Sequence, residues 1–282
     1  MNGEFVVPFV EASDRARLFY AEWGAGRAVV FANGFGMPGD MWNYQRDDLA
    51  AAGFRCITYD RRGHGRSDRP ASGYDMDTLA DDLASLIRGI DLADTMLVGH
   101  SMGAAEVIRY LTRHGTARVT GIVLSAPVTP SVLKSDDSPS GLDPESLEAS
   151  WDLLRRDAGT WLVMSTSSGP NYWGVDHHVS QLLSEWTMRQ IMDTPPSVLI
   201  ETNRAFAYAD FAAELAEISV PALVIHGDAD GGATALELTG RRTAAMMPQA
   251  RLVVIHNAGH GLYVSEAARY NAELIKFFQS LG

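Results

Sequence analysis

Short apolar runs recur along the chain, separated by stretches in which apolar residues return at helical spacing. Six runs have the length of strands, and one of them, Ala28–Ala32, lacks alternation with polar residues, as in strands buried on both faces. The six runs are Ala28–Ala32, Phe54–Tyr59, Thr95–Val98, Gly121–Ser125, Pro221–His226 and Arg251–Ile255. Two earlier strands, Glu4–Val10 and Arg17–Trp23, are joined by a polar turn. The pattern therefore predicts eight strands.

The stretches between these strands predict helices, because their apolar residues repeat at a spacing that forms one helical face. The helices are expected up to about Ala52 and over Asp77–Gly89, Ala104–Arg113, Ala233–Met247 and Val264–Leu281. Regular alternation of strand and helix predicts a mostly parallel sheet covered by helices on both faces. The fold class is thus α/β.

The alternation stops after Ala126 and resumes only near Pro221. The intervening stretch shows a helical pattern and no convincing strand pattern. It holds four of the six tryptophans, Trp151, Trp161, Trp173 and Trp186. We interpret residues 129–219 as an inserted helical cap on a core formed by residues 1–128 and 220–282. Most of these aromatic residues are expected to pack inside the cap, and a few to roof an apolar pocket.

The five residues Gly99–Gly103 form the pattern G-x-S-x-G, with a strand predicted before them and a helix after. This context favours a sharp strand-to-helix turn, called here the serine turn, that exposes Ser101. Glycines flank the serine because a Cβ there would collide with neighbouring backbone. The first amides of the following helix lack partners inside the helix and point toward whatever the serine attacks. Ser101 is therefore our candidate nucleophile.

A serine nucleophile needs a histidine base and an acid that orients the histidine. In α/β folds that carry the serine on such a strand-to-helix turn, the three residues follow in the order serine, acid, histidine. Asp230 is the candidate acid and His260 the candidate base, because both follow strands and lie where parallel strands place their sites. Asp228 is the alternative acid. Asp230 is preferred because it lies two residues further into the loop, which gives it reach toward His260.

The remaining histidines have structural interpretations. His226 is expected to cap a strand end, and His100 to serve packing. His177 and His178 are adjacent rather than one helical turn apart, which is poor geometry for a metal site. No metal is expected.

An oxyanion formed by attack on a carbonyl needs two N–H donors. The backbone amides of Met102 and Phe35 are the candidates, since Met102 follows the nucleophile and Phe35 lies in the loop after the third strand. Val128, Trp161 and Leu262 are the residues expected to contact the substrate.

Composition narrows the classes of partner. The chain has 282 residues and a formal net charge of −12, which argues against nucleic acids and anionic membranes. No apolar run approaches the roughly 20 residues that span a bilayer, no secretory signal is visible, and the single cysteine excludes an internal disulfide. We expect a cytoplasmic protein with a small-molecule substrate and no cofactor; a homo-oligomer stays open.

Five segments together resemble a known family. They are Tyr59–Ser67, Gly73–Leu79, Gly99–Gly103, Leu133–Asp137 and Gly259–Leu262. The chain resembles the α/β-hydrolases of the bacterial cofactor-free haloperoxidase, perhydrolase and aryl-esterase group. The resemblance implies an α/β-hydrolase fold with an eight-stranded sheet, and a Ser-His-Asp site that uses no cofactor.

Two residues depart from that group. Asn33 stands where its members usually carry histidine, and Gly36 stands where members with strong peroxide chemistry tend to carry proline. Hydrolysis of a carboxylic ester or lactone, with a mostly apolar acyl or aryl group, is therefore the leading prediction. Peroxide-dependent perhydrolase or haloperoxidase activity at the same site is one alternative. A non-catalytic ligand receptor that signals through the cap is the other.

Overall fold

The computed structural model of the protein describes residues 8–136, 138–164, 170–175 and 179–282. Three sequence predictions fall partly or wholly outside these ranges. They are the beginning of the Glu4–Val10 strand, Asp137 in the segment Leu133–Asp137, and the pair His177 and His178.

A single sheet runs through the described part of the chain. Its eight strands are β1 (Phe9–Glu11), β2 (Arg17–Trp23), β3 (Arg27–Ala32), β4 (Phe54–Tyr59), β5 (Thr95–His100), β6 (Val119–Ser125), β7 (Ala222–Gly227) and β8 (Ala250–Ile255). They lie in the order β1-β2-β4-β3-β5-β6-β7-β8. The pairs β1–β2 and β2–β4 are antiparallel, and all other pairs are parallel. The prediction of a mostly parallel eight-stranded sheet is confirmed.

The helices alternate with the strands as the sequence predicts. Their bounds are α1 (Asn43–Ala51), α2 (Met76–Gly89), α3 (Met102–His114), α4 (Pro144–Arg156), α5 (Ala158–Met164), α6 (Pro170–Trp173), α7 (Gln181–Met192), α8 (Pro196–Ala207), α9 (Ala212–Glu217), α10 (Gly240–Met246), α11 (Leu262–Ser265) and α12 (Ala267–Ser280). Among the described residues, no helix combines the length and hydropathy that crossing a bilayer requires.

The centre of the sheet is fully covered. Every residue of β5 and of β7 is buried, and so are all residues of β3 except the first. Burial on both faces explains why these strands carry continuous apolar runs instead of alternating patterns. Cys56 on β4 is buried too, consistent with a structural thiol.

Two helix predictions near the C-terminus are wrong in detail. The predicted helix Ala233–Met247 is a short 3-10 turn at Gly232–Thr234, followed by a loop and then by α10. The final predicted helix is divided into α11 and α12, because Glu266 adopts φ −123° and ψ 31°, outside the helical region.

Helices α4–α9 lie between β6 and β7 and form the helical insertion. Its described residues form isolated bridges but no strand. Trp151 is buried inside the insertion, and its Nε1 donates to Oδ1 of Asn203 at 2.8 Å. Trp161 is half-buried and donates to Oγ of Ser150 at 2.7 Å. These contacts hold the helices of the insertion together.

Candidate active site

Ser101 lies at the serine turn between β5 and α3, with φ 54° and ψ −116°, a conformation that side chains rarely adopt. A Cβ at Gly99 would lie 2.3 Å from the backbone oxygen of Gly103, and a Cβ at Gly103 would lie 2.3 Å from that of Ala32. Both glycines are therefore required by close backbone packing. The backbone N–H of Ser101 donates to Ser125 at 2.8 Å and anchors the turn to the neighbouring strand.

Three side chains that are distant in sequence form one hydrogen-bonded chain. Nε2 of His260 lies 3.0 Å from Oγ of Ser101, and Nδ1 of His260 lies 2.7 Å from Oδ2 of Asp230. The structure thus brings together all three residues that the sequence predicts as nucleophile, base and acid. The distances allow a proton to pass from the hydroxyl to the imidazole while the carboxylate orients the ring.

Asp230 is buried and is held as a carboxylate. Burial raises its pKa, but the charges and hydrogen bonds of His260 and His226 outweigh burial, so the pKa lies well below its usual range. Nε2 of His226 lies 3.1 Å from Oδ2, and the hydroxyl of Thr234 donates to Oδ1 at 2.8 Å. The carboxylate is therefore ionised and has partners on both oxygens.

Asp228, the alternative acid, has other partners. One carboxylate oxygen accepts from the backbone N–H of Asn257 at 2.7 Å, and the other lies 2.8 Å from Nδ1 of His256. Asn257 has a positive φ of 61°, so this contact stabilises a strained turn shortly before His260. The geometry places Asp228 as a brace of the loop and Asp230 on the imidazole.

His100 forms part of the floor of the site. Its ring is buried, with a centroid 4.9 Å from that of His260 and 4.8 Å from that of Tyr263. Its Nδ1 lies 3.1 Å from Oγ of Ser125. Burial, followed by the neighbouring charge of His260, lowers the pKa of His100 well below its ordinary value. His100 is therefore a neutral packing residue, in line with its sequence interpretation.

A cavity of about 220 Å³ opens beside Ser101 and His260. Its walls are largely apolar, and the apolar residues that line it are Phe35, Met37, Val128, Val132, Leu142, Trp161, Ile191, Phe206 and Ala233. Val128 and Trp161, two of the three residues expected to contact the substrate, line this cavity.

The prediction for Leu262 is wrong. Leu262 is fully buried in the hydrophobic core and is not among the residues that line the cavity. The neighbouring Tyr172 lines the cavity instead, and its hydroxyl lies 3.0 Å from that of Tyr263.

The two candidate oxyanion donors belong to segments that meet at the cavity beside Ser101. Met102 is the first residue of α3, so its N–H has no acceptor inside the helix. Phe35 follows β3 and lines the cavity. The fully buried Arg61 braces this loop, donating to the backbone oxygen of Asn33 at 2.7 Å and to Oε2 of Glu106 on α3 at 2.7 Å. Arg61 thus connects the loop of Phe35 with the helix that follows Ser101.

The helical insertion is attached to the loop that carries His260. The backbone N–H of Gly261 donates to the backbone oxygen of Tyr172, and that of Val175 donates to the backbone oxygen of Asn257 at 2.8 Å. These bonds flank His260 in the sequence. The position of the imidazole therefore depends on the insertion as well as on the sheet.

Three residues near the site were not identified as functional from the sequence. His226 and Thr234 bind the Asp230 carboxylate, and Arg61 braces the loop that carries Phe35. The four-residue spacing of His226 and Asp230 within His-Gly-Asp-Ala-Asp is the one sequence pattern that could have indicated the contact between these two residues. Among the described residues, no group of three His, Cys or carboxylate side chains could hold a metal ion.

A serine on a strand-to-helix turn, with a histidine and a carboxylate after later strands, is the arrangement that α/β hydrolases share. The family model described as the alpha/beta hydrolase family matches residues 29–273. The chain therefore belongs to the alpha/beta hydrolase family, and its relatives are enzymes.

Similar proteins carry both hydrolase and haloperoxidase names. The chain is 36% identical to a non-heme chloroperoxidase, CPO-A1, from Kitasatospora aureofaciens, covering 96% of this chain and 99% of the relative. It is 31% identical to a bifunctional esterase/perhydrolase from Acinetobacter calcoaceticus, with the same coverage of both chains. An esterase structure from Exiguobacterium antarcticum superposes with a TM-score of 0.90 and 26% identity, covering 96% of this chain and 98% of the esterase.

Proposed function

We propose that this enzyme hydrolyses small, mostly apolar carboxylic esters or lactones through an acyl-enzyme on Ser101. The observation that carries the proposal is the hydrogen-bonded chain Asp230–His260–Ser101 at the wall of an apolar cavity. Each role requires a group within hydrogen-bond reach of the next, and the distances of 2.7 and 3.0 Å meet that requirement.

Acylation begins when Nε2 of His260 takes the proton of the Ser101 hydroxyl and Oγ attacks the carbonyl carbon. The negative charge that develops on the carbonyl oxygen is stabilised by the backbone N–H groups of Phe35 and Met102. The imidazolium, stabilised by the Asp230 carboxylate, then gives its proton to the leaving alcohol as the ester C–O bond breaks.

Deacylation repeats the sequence with water. His260 takes one proton from the water molecule, the resulting hydroxide adds to the acyl carbon, and the bond to Oγ breaks. The proton returns to Ser101, and the carboxylic acid leaves. In a lactone the leaving alcohol and the acid stay in one molecule.

The cavity indicates the size and polarity of the acyl or aryl group. Its volume of about 220 Å³ exceeds the roughly 150 Å³ of an engineered apolar cavity that binds benzene, but it falls below the range of drug-sized ligand sites. Phe35, Trp161 and Phe206 line it, and the centroid of the Phe35 ring lies 6.1 Å from that of Trp161 and 5.8 Å from that of Phe206. A short acyl chain or a single aromatic ring is the group that fits.

The proposal is tested with Ser101→Ala and a panel of aryl esters and lactones of increasing acyl length. We expect a loss on the order of a millionfold in kcat. Peptide mapping is expected to find a fluorophosphonate label on Ser101, both in the native enzyme and in the control variant Ser280→Ala. Ser280 is an exposed residue at the end of α12. An unchanged esterase rate in Ser101→Ala would reject the mechanism.

Peroxide-dependent activity at the same site is the second candidate, since one relative is named a chloroperoxidase and another an esterase/perhydrolase. In this reaction hydrogen peroxide replaces water as the nucleophile that attacks the acyl-enzyme, and one of its protons passes to His260. The bond from the acyl carbon to Oγ of Ser101 then breaks, the proton returns from His260 to Oγ, and a peracid leaves.

Gly36 favours hydrolysis over the peroxide reaction. Its φ of +73° is incompatible with proline, whose ring fixes φ near −65°, and a Cβ there would lie 2.7 Å from Cγ2 of Ile191. The proline that accompanies strong peroxide chemistry in the resembling group therefore does not fit this backbone. Comparing ester hydrolysis with acetate- and peroxide-dependent halogenation in one preparation separates the two candidates, and a dominant halogenation rate would favour the second.

We also propose that the substrate is a small molecule and that side chains and backbone amides carry the reaction without a cofactor. Esterase activity that survives exhaustive dialysis against chelator is the expected result for a reaction without a cofactor. We propose a cytoplasmic location, which fractionation of the producing cells checks.

A further inference from the structure

The Asp230 carboxylate has one more histidine partner than the proposed mechanism uses. Oδ2 lies 2.7 Å from Nδ1 of His260 and 3.1 Å from Nε2 of His226, and Oδ1 accepts from Thr234 at 2.8 Å. His226 lies on β7, four residues before the acid, and its side chain is fully buried. The second imidazole therefore shares an oxygen atom with the proposed base.

The partners of His226 determine which of its nitrogens carries the proton. Nε2 lies 3.1 Å from the carboxylate of Asp230 and 3.1 Å from the backbone oxygen of Thr234. Both neighbours are acceptors, so Nε2 must be protonated and donate. Nδ1 is buried and has no hydrogen-bond partner in the described part of the chain.

The first residue of α10 packs closely against the Nδ1 side of the His226 ring. A Cβ at Gly240, the first residue of α10, would lie 2.4 Å from Nδ1 of His226. The backbone of the helix therefore reaches the ring closely on the side of Nδ1. A neutral ring with the proton on Nε2 fits this arrangement, because the proton then lies on the nitrogen that has acceptors, and Nδ1, which has no partner among the described residues, carries none.

We infer that His226 is a positioning residue: its Nε2–H shares Oδ2 of Asp230 with His260, which fixes the carboxylate and weakens its pull on the His260 imidazolium. The inference rests on the proposed function, since it assigns His260 the role of base. His226 does not touch Ser101 or the cavity, and it acts through Asp230.

Removing the His226 donor is expected to move the pH dependence of activity in one direction. Without the hydrogen bond from His226, the carboxylate concentrates more negative charge on His260, so the protonated form of His260 is favoured. Because a protonated imidazole cannot accept the serine proton, activity then disappears at a higher pH than in the native enzyme. If His226 had only a structural role, its removal would lower the amount of folded enzyme but would not move the acidic limb of the pH–activity profile.

The other titratable groups that face the Asp230–His260 pair stay uncharged in the range that matters. They lie on three elements: His100 on β5, Tyr172 on α6 and Tyr263 on α11. Burial lowers the pKa of His100 well below its ordinary value, and burial raises the pKa of Tyr172 and of Tyr263. Their charges therefore do not change across the acidic limb of the activity profile.

The experiment compares the pH dependence of kcat/KM in the native enzyme, His226→Leu and His226→Gln. Because His226→Leu lacks one charge-assisted hydrogen bond to the shared carboxylate, we expect its acidic limb to move to higher pH by up to about one unit. The glutamine variant, whose Nε2 can donate from the same position, is expected to restore the native limb. An unmoved limb in folded His226→Leu would overturn the inference.

A second measurement needs no variant to be active. In native protein with ¹⁵N-labelled histidine, the His226 resonance, assigned by its loss in His226→Gln, is expected to show a neutral ring with the proton on Nε2. A proton on Nδ1 alone, or an imidazolium at neutral pH, would overturn the inference. If Ser101→Ala keeps its esterase rate, the proposed function fails, and the resonance still decides whether His226 donates to Asp230.

Discussion

His64 makes folding sensitive to pH at a place away from the cavity. Its ring is fully buried in the turn after β4, with Nδ1 2.9 Å from the backbone oxygen of Arg62. Nε2 is buried without a hydrogen-bond partner among the described residues. Burial, followed by the charge of Arg61, lowers the pKa of His64 from 6.5 to about 3. The folded protein thus holds this ring neutral, with Nδ1–H donating.

The pKa shift translates into stability. The unfolded chain binds a proton on this histidine below its ordinary pKa of 6.5, whereas the folded chain does so only near 3. Between these values the unfolded state binds more protons, so the free energy of unfolding falls as the pH drops. A pH of about 5 lies about 1.5 units below the ordinary pKa of this histidine, so protonation of His64 in the unfolded chain lowers the free energy of unfolding by about 2 kcal/mol there. The full contribution is present above about pH 6.5.

Urea unfolding of the native protein and of His64→Asn at about pH 7.5 and about pH 5 checks this value. The asparagine Nδ2 can keep the bond to Arg62 but cannot take up a proton. We expect the native protein to lose about 2 kcal/mol more than the variant over this interval. His100 is present in both proteins, so its contribution cancels. Equal losses in the native protein and His64→Asn would refute the assigned protonation state.

Three further predictions follow from close contacts. Arg61→Met should lower the free energy of unfolding by about 3–5 kcal/mol, because it leaves Glu106 buried without its ion pair; the added change Glu106→Gln should recover part of the loss in the same denaturation assay. Gly103→Ala should cost at least about 3 kcal/mol or prevent folding, since its Cβ would meet the Ala32 carbonyl at 2.3 Å, and thermal unfolding with soluble yield measures this. Trp161→Ala should shift kcat/KM toward longer acyl chains by about tenfold across an ester series, because it enlarges the cavity; an unchanged ratio would contradict its position on the cavity wall.

The centre of the sheet could be predicted from the sequence because its strands are buried on both faces. Continuous apolar runs with polar ends reveal such strands, and β4 has the predicted bounds. The strand β2, which is only partly buried, also has the predicted bounds. The serine turn was predictable for a related reason: it requires glycines where backbone segments touch, so its geometry is written in residue types.

The segment after Asp230 could not be predicted from local pattern. Its apolar spacing favours a helix over Ala233–Met247, but Thr234 turns to bind the carboxylate, and Gly240 must pack against the His226 ring. These tertiary contacts override helical propensity and delay the helix. The direction of the Leu262 side chain was equally hidden, because it depends on how a single helical turn meets the core.

The bonds between Tyr172 and Gly261, and between Val175 and Asn257, tie the insertion to the residues on both sides of His260. A chimaera that received the insertion of another hydrolase would therefore exchange more than the lining of the cavity. It would also replace two clamps on the segment that carries the proposed proton acceptor. Substrate preference and turnover rate are thus mechanically linked in this chain, and engineering one by module exchange requires rebuilding both clamps.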